Sequence, residues 1–242
     1  MTYSEELLVL VRLLLAHLLT DFILQPSSWV KERKEKKIRS SKLYFHAALT
    51  AILAYVFSGV WAAWALPVVI FFTHFLIDSW KSYQKNNLKY FLIDQLLHLL
   101  VILFLWIWIF NKWNEAQLIL QKAVSNIDYI IVITAYVMAA WPLGILVGIA
   151  TEKWRNQADI NREGLEKAGL WIGLLERFLI LTFILINQYT AVGLLIAAKS
   201  ILRFSDKENT QKKTEYVLIG TLMSFAISFV IGLLVRYLIE VI

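Results

Sequence analysis

The run LKYFLIDQLLHLLVILFLWIWIFN, residues 88–111, decides how this chain is to be read. About 20 apolar residues suffice for a helix to cross the hydrocarbon core of a bilayer. This stretch is long enough, yet it holds Asp94 and His98 in its first half. Residues four apart share a helix face, so an imidazole and a carboxylate stand side by side at a depth where ionisable groups are costly. The spacing recurs in His17 with Asp21 and in His74 with Asp78, and the remaining histidine, His46, also lies in an apolar stretch. A buried functional site on membrane helices is the default reading of such pairs.

Composition extends this reading to the whole chain. Of 242 residues, 59% are apolar and 14% aromatic, with a mean hydropathy of +0.63, whereas soluble chains are roughly 45–50% apolar. Eight apolar segments can be laid down, at roughly 5–26, 43–59, 61–80, 88–111, 127–149, 169–187, 189–204 and 215–240, of which the second and seventh are short. Only three prolines and no tract of alternating polarity argue against a membrane barrel. The expectation is an all-α polytopic membrane helix bundle of about eight transmembrane helices. It divides into a half at 1–126 carrying the His/Asp pairs and a half at 127–242.

The net charge of +6 invites nucleic acid, but its distribution points to membrane topology instead. Nineteen of the 24 Lys and Arg fall in residues 31–42, 81–89, 153–167 and 199–213, the connections after segments one, three, five and seven. The alternate connections carry few. Positive charge concentrates on the cytoplasmic side, which puts those four connections in the cytoplasm and both termini outside. No nucleic-acid partner is expected, and membrane lipids are the immediate surroundings; the 31–42 run reads as a topology signal before it reads as a lipid-head site. There is no cysteine, so thiolate ligands are excluded. Glu5 and Glu6 open the first segment where a removable signal peptide carries basic residues, so that segment is expected to stay as a span.

Direction then brings the pairs into register. Segments one and three run inward with histidine before aspartate, and segment four runs outward with the order reversed, as Asp94-Gln-Leu-Leu-His98. His17, His74 and His98 would share one level, and Asp21, Asp78 and Asp94 another about 6 Å nearer the cytoplasm. His46, near the start of segment two, falls close to the aspartate level. Neutral imidazoles with carboxylates suit a divalent Zn, Mn or Fe ion, and inward-facing acids and histidines on several helices hold dinuclear centres in other bundles. The candidate metal ligands are His17, Asp21, His46, His74, Asp78, Asp94 and His98, sufficient for one ion or for two sharing ligands. The bland alternative is three intrahelical His–Asp couples that merely join helices. Thr20, Gln25, Ser79 and Gln95 are placed to orient the ligands or to pack between helices.

The runs HLLTDFILQP (17–26), HFLID (74–78), DQLLH (94–98), GLLERFLILT (173–182), AAKSILRF (197–204) and EYVLIGTLMSF (215–225) together resemble an uncharacterised bacterial inner-membrane family known as a conserved domain of unknown function. The resemblance covers most of the chain and implies a multi-pass protein of the cytoplasmic membrane, without a mechanism. In residue type more than in order, the His and Asp set is also similar to membrane-bound metal-dependent hydrolases. Segments one and two also read as a diverged copy of segments three and four, since 17–21 and 74–78 match at His, the central Leu and Asp.

The second half has no histidine but keeps charges. Arg177, Lys199 and Arg203 are candidates to hold an anionic, phosphate-bearing group, with Glu176 as the neutralising partner in the alternative. Gly220, Ser224, Ser228 and Gly232 form a small-residue stripe for close helix approach, as do Gly169 and Gly173. Pro142 with Gly144 and Gly148 is expected to bend segment five, and residues 151–168 to form a cytoplasmic surface helix. Two function classes stand. One is a metal-dependent hydrolase acting on an anionic, lipid-linked or phosphate-bearing substrate, with Asp21, Asp78 or Asp94 accepting the proton of a metal-activated water. The other is a divalent metal transporter or sensor using the same ligands; it needs polar groups toward the outer face, where segments one to four are almost wholly apolar apart from Arg12, unless Arg12 and segments five to eight complete a path. Haem ligation by paired histidines leaves the three aspartates unexplained.

Overall fold

The computed structural model describes residues 2–157, 168–204 and 211–241, with the side chains of 202–204, 211 and 213 left out. Every regular element among them is helical. In order these are α1 (Tyr3–Leu18), a π-turn (Leu19–Ile23), α2 (Ser27–Lys36), a 3-10 turn (Lys37–Arg39), α3 (Ser41–Ser58), α4 (Ala65–Ser82), α5 (Leu88–Ile109) and α6 (Trp113–Ser125). Then come α7 (Ile127–Ala140), α8 (Pro142–Ala150), α9 (Glu152–Gln157), α10 (Ala168–Leu185), α11 (Tyr189–Phe204) and α12 (Gln211–Val241). All eight apolar segments are helical. Four helical stretches are long and apolar enough to cross a membrane: Leu88–Ile109, Ile127–Ala150, Ala168–Leu185 and Thr214–Val241. A fifth is added if Tyr3–Ile23 and Ser27–Arg39, bent by 81°, count as one span. His46 in α3, and His74, Asp78 and Lys81 in α4, lower the apolarity of two helices that have 18 residues each.

The chain forms two compact units, Met1–Ile119 and Leu120–Ile242, dividing inside α6. In the first unit α1 packs on α3 and α5, α3 on α4, and α4 on α5, which closes a ring of four helices. The start of α1 is tied to the end of α5: Trp106 Nε1 donates to the Glu6 carbonyl at 2.6 Å, and Lys112 Nζ lies 3.0 Å from Glu6 Oε2. That hydrogen bond to Glu6 holds the Lys112 ammonium above the usual lysine range. Val9, Leu13, Ala51, Ala54, Leu66, Ile70, Ile102 and Leu105 fill the same half of the ring with a dry core. Each belongs to a part of its helix on one side of that helix's histidine, so the histidines begin where the apolar core stops. Outward-facing Leu8, Val11, Leu15, Phe72, Leu76, Leu100 and Phe104 remain exposed. An apolar exterior around buried ionisable groups is the arrangement that lipid, and not water, solvates favourably.

Gly59 ends α3 with φ +67, a left-handed conformation that glycine adopts without a Cβ penalty, and the Arg12 guanidinium lies 3.6 Å from where a Cβ would sit. Arg12 is exposed there.

In the second unit α10 packs on α7, α11 and α12 around Ala135, Ala139, Leu143, Leu181, Ile231 and Val235, with Ile180, Ile184 and Val192 forming a smaller cluster. Pro142, which has no N–H to give, separates α7 from α8. Within the small-residue stripe Ser224 and Ser228 are buried, and a Cβ on Gly232 would sit 2.9 Å from two carbons of Ile184. Gly169 meets nothing within 4 Å, so its half of the other pair is not a contact among the described residues. Of the polar stretch 151–168, Glu152–Gln157 is helical, and residues 158–167 lie outside the described residues.

Candidate metal centre

One histidine projects inward from each helix of the four-helix ring: His17 from α1, His46 from α3, His74 from α4 and His98 from α5. All four are buried, between 1% and 3% exposed. The imidazoles of His17, His74 and His98 gather at one level, with ring centroids 4.2 to 6.0 Å apart. Asp78 and Asp94 reach the cluster from the i+4 and i−4 positions of ordinary α-helix. Asp21 reaches it from the π-turn, where Leu24 N donates to the Leu19 carbonyl at 2.8 Å, five residues back. Such single π-turns in an otherwise α-helical run frequently mark functional sites.

The donor atoms form a compact polygon. Asp21 Oδ1 is 3.4 Å from His46 Nε2 and 3.4 Å from His74 Nε2, and these two nitrogens are 3.0 Å apart. Asp78 Oδ2 stands 3.5 Å from His46 Nε2 and 3.7 Å from His74 Nε2. Ligands held at about 2.1 Å from one ion are separated by about 3.0 to 3.4 Å for octahedral and tetrahedral geometry. The Asp21, His46 and His74 triangle meets that spacing, and Asp78 makes a slightly wider fourth corner. The other oxygen of Asp78 faces a second group: Asp78 Oδ1 is 4.0 Å and Asp94 Oδ1 3.8 Å from His98 Nε2. Asp78 therefore connects two sets of donors. Three groupings, His17 with His74 and His98, Asp21 with His46 and His74, and Asp78 with Asp94 and His98, each bring ligand atoms within 4.8 Å of one another and can hold a metal ion.

Asp21 Oδ1, Asp94 Oδ1 and His98 Nε2 are buried and have no hydrogen-bond partner among the described residues. A buried polar atom without a partner costs about 1–3 kcal/mol, and more if charged, so three of them aimed at one centre fit a cation in the donor set. Gln95 organises one edge: its Oε1 is 3.3 Å from His17 Nε2 and its Nε2 donates to Asp94 Oδ2 at 3.2 Å. Gln25 is half-buried and makes no side-chain hydrogen bond among the described residues. Thr20 is buried, but its hydroxyl donates to the carbonyls of Ala16 and His17 and so serves the helix.

Two cations join the centre that reading along the chain overlooks. Arg33, on α2 and 8% exposed, pairs through Nη1 with Asp78 Oδ2, and Lys81 Nζ lies 3.2 Å from Asp94 Oδ2. Lys81 has a local signal, because it follows Asp78 by three residues on α4. Arg33 has none: it is one of several charges in KERKEKK, and only the 81° bend after the π-turn carries α2 across α3 and α4.

Of the three basic candidates in the second unit, Arg177 and Lys199 have partners within that unit. Arg177 is buried and donates from Nε to the Ala139 carbonyl at 2.5 Å and from Nη2 to the Ala140 carbonyl at 3.2 Å, at the break between α7 and α8. Lys199 Nζ meets Glu176 Oε2 at 2.6 Å. The Arg203 side chain lies outside the described residues.

No curated protein and no solved structure matches the chain. Residues 9–127, just under half of the chain and including every histidine and all three paired aspartates, match the family described as "Protein of unknown function (DUF3307)".

Proposed function

We propose that the four-helix unit is a metal-dependent hydrolase of the bacterial inner membrane, acting on an anionic, lipid-linked or phosphate-bearing substrate at the cytoplasmic side. The observation that carries this reading is the triangle of Asp21 Oδ1, His46 Nε2 and His74 Nε2, with sides of 3.4, 3.4 and 3.0 Å, drawn from three helices. Its setting is an eight-span protein with both termini outside, following the basic connections, so that Asp21, Asp78 and Asp94 face the cytoplasm.

Asp21, His46, His74 and Asp78 would hold a Zn, Mn or Fe ion, and Asp78, Asp94 and His98 are the residues that would hold a second. When bound, such an ion would lower the pKa of a coordinated water to about 7 and polarise a phosphoryl oxygen. Asp21 is suited to accept the proton of the attacking water. It is the least buried of the seven ligands, it has no Lys or Arg partner among the described residues, and only its Oδ1 is engaged with imidazoles. Gln95 keeps His17 and Asp94 in place as hydrogen-bonded outer partners do in metal sites. A small cavity beside His17, His74 and His98, bounded by Leu13, Ala54 and Ile70, separates the centre from the apolar core.

The rival reading, a transporter, calls for polar side chains continuing to the outer face. Among the described residues the ring beyond the histidines is mostly leucine, isoleucine, valine and alanine, with Thr50, Thr73 and Ser58 as uncharged exceptions and no buried acid or base, which disfavours transit of a cation.

Elemental analysis of the purified protein is expected to find about one or two divalent transition-metal ions per chain, lost when His17, His74 and His98 are changed together to Ala. Metal-loaded protein should release phosphate from lipid phosphates in detergent micelles. A metal-free wild type ends both readings, whereas bound metal with no phosphate release, and metal flux into sealed vesicles, selects the carrier.

A further inference from the structure

We propose that Arg33 and Lys81 form a subsite for a tetrahedral oxyanion, a phosphate or phosphate monoester, at the aspartate end of the metal centre. This deepens the preceding reading and rests on it, but moves the anion-holding groups from Arg177, Lys199 and Arg203 to residues inside the four-helix unit itself.

Charge is the first ground. With neutral imidazoles, Asp21, Asp78 and Asp94 set against Arg33 and Lys81 leave the buried group with one net negative charge. One divalent cation makes it one net positive, and a second ion adds two more. A buried net charge is costly unless a counter-charge joins it. The two cations exceed what a metal-loaded set of carboxylates needs for neutrality, so an anion is the group that completes the balance.

Hydrogen bonding is the second ground. Arg33 is 8% exposed, yet its Nε is buried without any acceptor, although the guanidinium pairs with Asp78. A guanidinium presents a planar fork of donors that matches two oxygens of a phosphate, and a buried fork with an unmet donor lacks an acceptor of that kind. Lys81 Nζ, 3.2 Å from Asp94 Oδ2 and 3.0 Å from the Tyr90 carbonyl, supplies a compact positive charge beside the other ligand set.

Access is the third. The histidine side of the centre ends against the apolar core, whereas the aspartate side is the less buried one: the side chains of Asp21, on the π-turn with exposed Phe22 and Ile23, and of Asp94 are 9% and 8% exposed. An anion reaches the centre from this side, past α2, which carries Arg33.

The test uses the full-length purified protein in detergent, loaded with the metal it retains, and titrates inorganic phosphate in one arm and phosphatidic acid in mixed micelles in the other. Wild type is expected to bind phosphate, and both Arg33→Gln and Lys81→Gln to weaken it at least about tenfold, since a hydrogen bond to a charged group contributes 1.5–3 kcal/mol. Metal content is measured on every sample. Arg33→Gln leaves Asp78 without its counter-charge and can impair folding, so Arg33→Lys is the second variant: it keeps the charge, loses the fork and should still weaken binding. Lys31→Gln, exposed on the same helix, should bind as wild type does. Tighter binding in one arm identifies the source as free phosphate or lipid head group, and either supports the subsite. Absence of binding in both arms, or equal affinity in wild type and the two site variants, overturns it. A wild type without metal ends the hydrolase and carrier readings and removes the charge ground; phosphate binding that Arg33→Gln and Lys81→Gln weaken then still supports the subsite through its hydrogen bonding, and its absence overturns the subsite as well.

Discussion

A single side chain in each unit shows how a buried polar group finds its task. Gln95 touches no proposed ion but joins His17 on α1 to Asp94 on its own helix. Removing such an outer partner typically costs 10–100-fold in metal affinity. Gln95→Ala is therefore expected to weaken metal binding by about that factor in a chelator competition, with the fold intact by circular dichroism; unchanged affinity would reduce Gln95 to a packing residue. Arg177 serves backbone instead. The last carbonyls of α7 lose their intrahelical donors at the Pro142 break, and the Arg177 guanidinium takes two of them while Gly144 and Gly173 leave it room. Arg177→Met should lower stability by roughly 2–4 kcal/mol, since two charge-assisted hydrogen bonds vanish and two buried carbonyls lose partners. Thermal unfolding in detergent checks this. An unchanged midpoint together with reduced phosphate release would return Arg177 to the anion.

Among elements, the close approach of α12 to α10 depends on a missing methyl group. A Cβ on Gly232 would press on Ile184 at 2.9 to 3.0 Å, and Ile184 is fully buried and stiff at χ1. Gly232→Ala should cost about 1–3 kcal/mol as overpacking. Ile184→Ala in the same chain should relieve part of that, so the two changes combine to less than their sum. Gly148→Ala, with nothing within 4 Å of its added carbon, is the control and should be neutral. The small-residue stripe of α12 is legible from its four-residue period, but its partner is not, because the period marks one face of a helix and says nothing of what lies opposite. The π-turn at Leu19–Ile23 and the near-perpendicular course of α2 are equally silent in the sequence. Pro26 and the KERKEKK run read as a connection that ends a span, and only packing against α3 and α4 converts it into a helix that brings Arg33 beneath the ring.

At the scale of the molecule the charge distribution makes a claim about sidedness that a cysteine-free chain lets one test cleanly. Single substitutions Lys34→Cys, Lys85→Cys and Lys153→Cys are expected to react with a membrane-impermeant thiol reagent only after the cytoplasmic side is opened, and Trp61→Cys and Lys122→Cys from outside in intact spheroplasts. Labelling of Lys34→Cys and Trp61→Cys from one and the same side would break the alternation on which the layering of histidines and aspartates rests.

Features legible along the chain are local and periodic. Long apolar runs define helices and a membrane setting, and i,i+4 spacing places each imidazole beside its carboxylate, because both follow from helix geometry alone. Tertiary structure decided what lies between helices. It brought His46 Nε2 to 3.0 Å from His74 Nε2, turned the two oxygens of Asp78 toward different ligand sets, and took Arg33 and Lys81 into the centre. It also assigned Arg177 to the carbonyls of another helix. The physical reason is that a buried charge settles where the whole packed unit supplies its counter-charge and hydrogen-bond partners. Those partners come from helices distant in the chain, and no period along one helix encodes them.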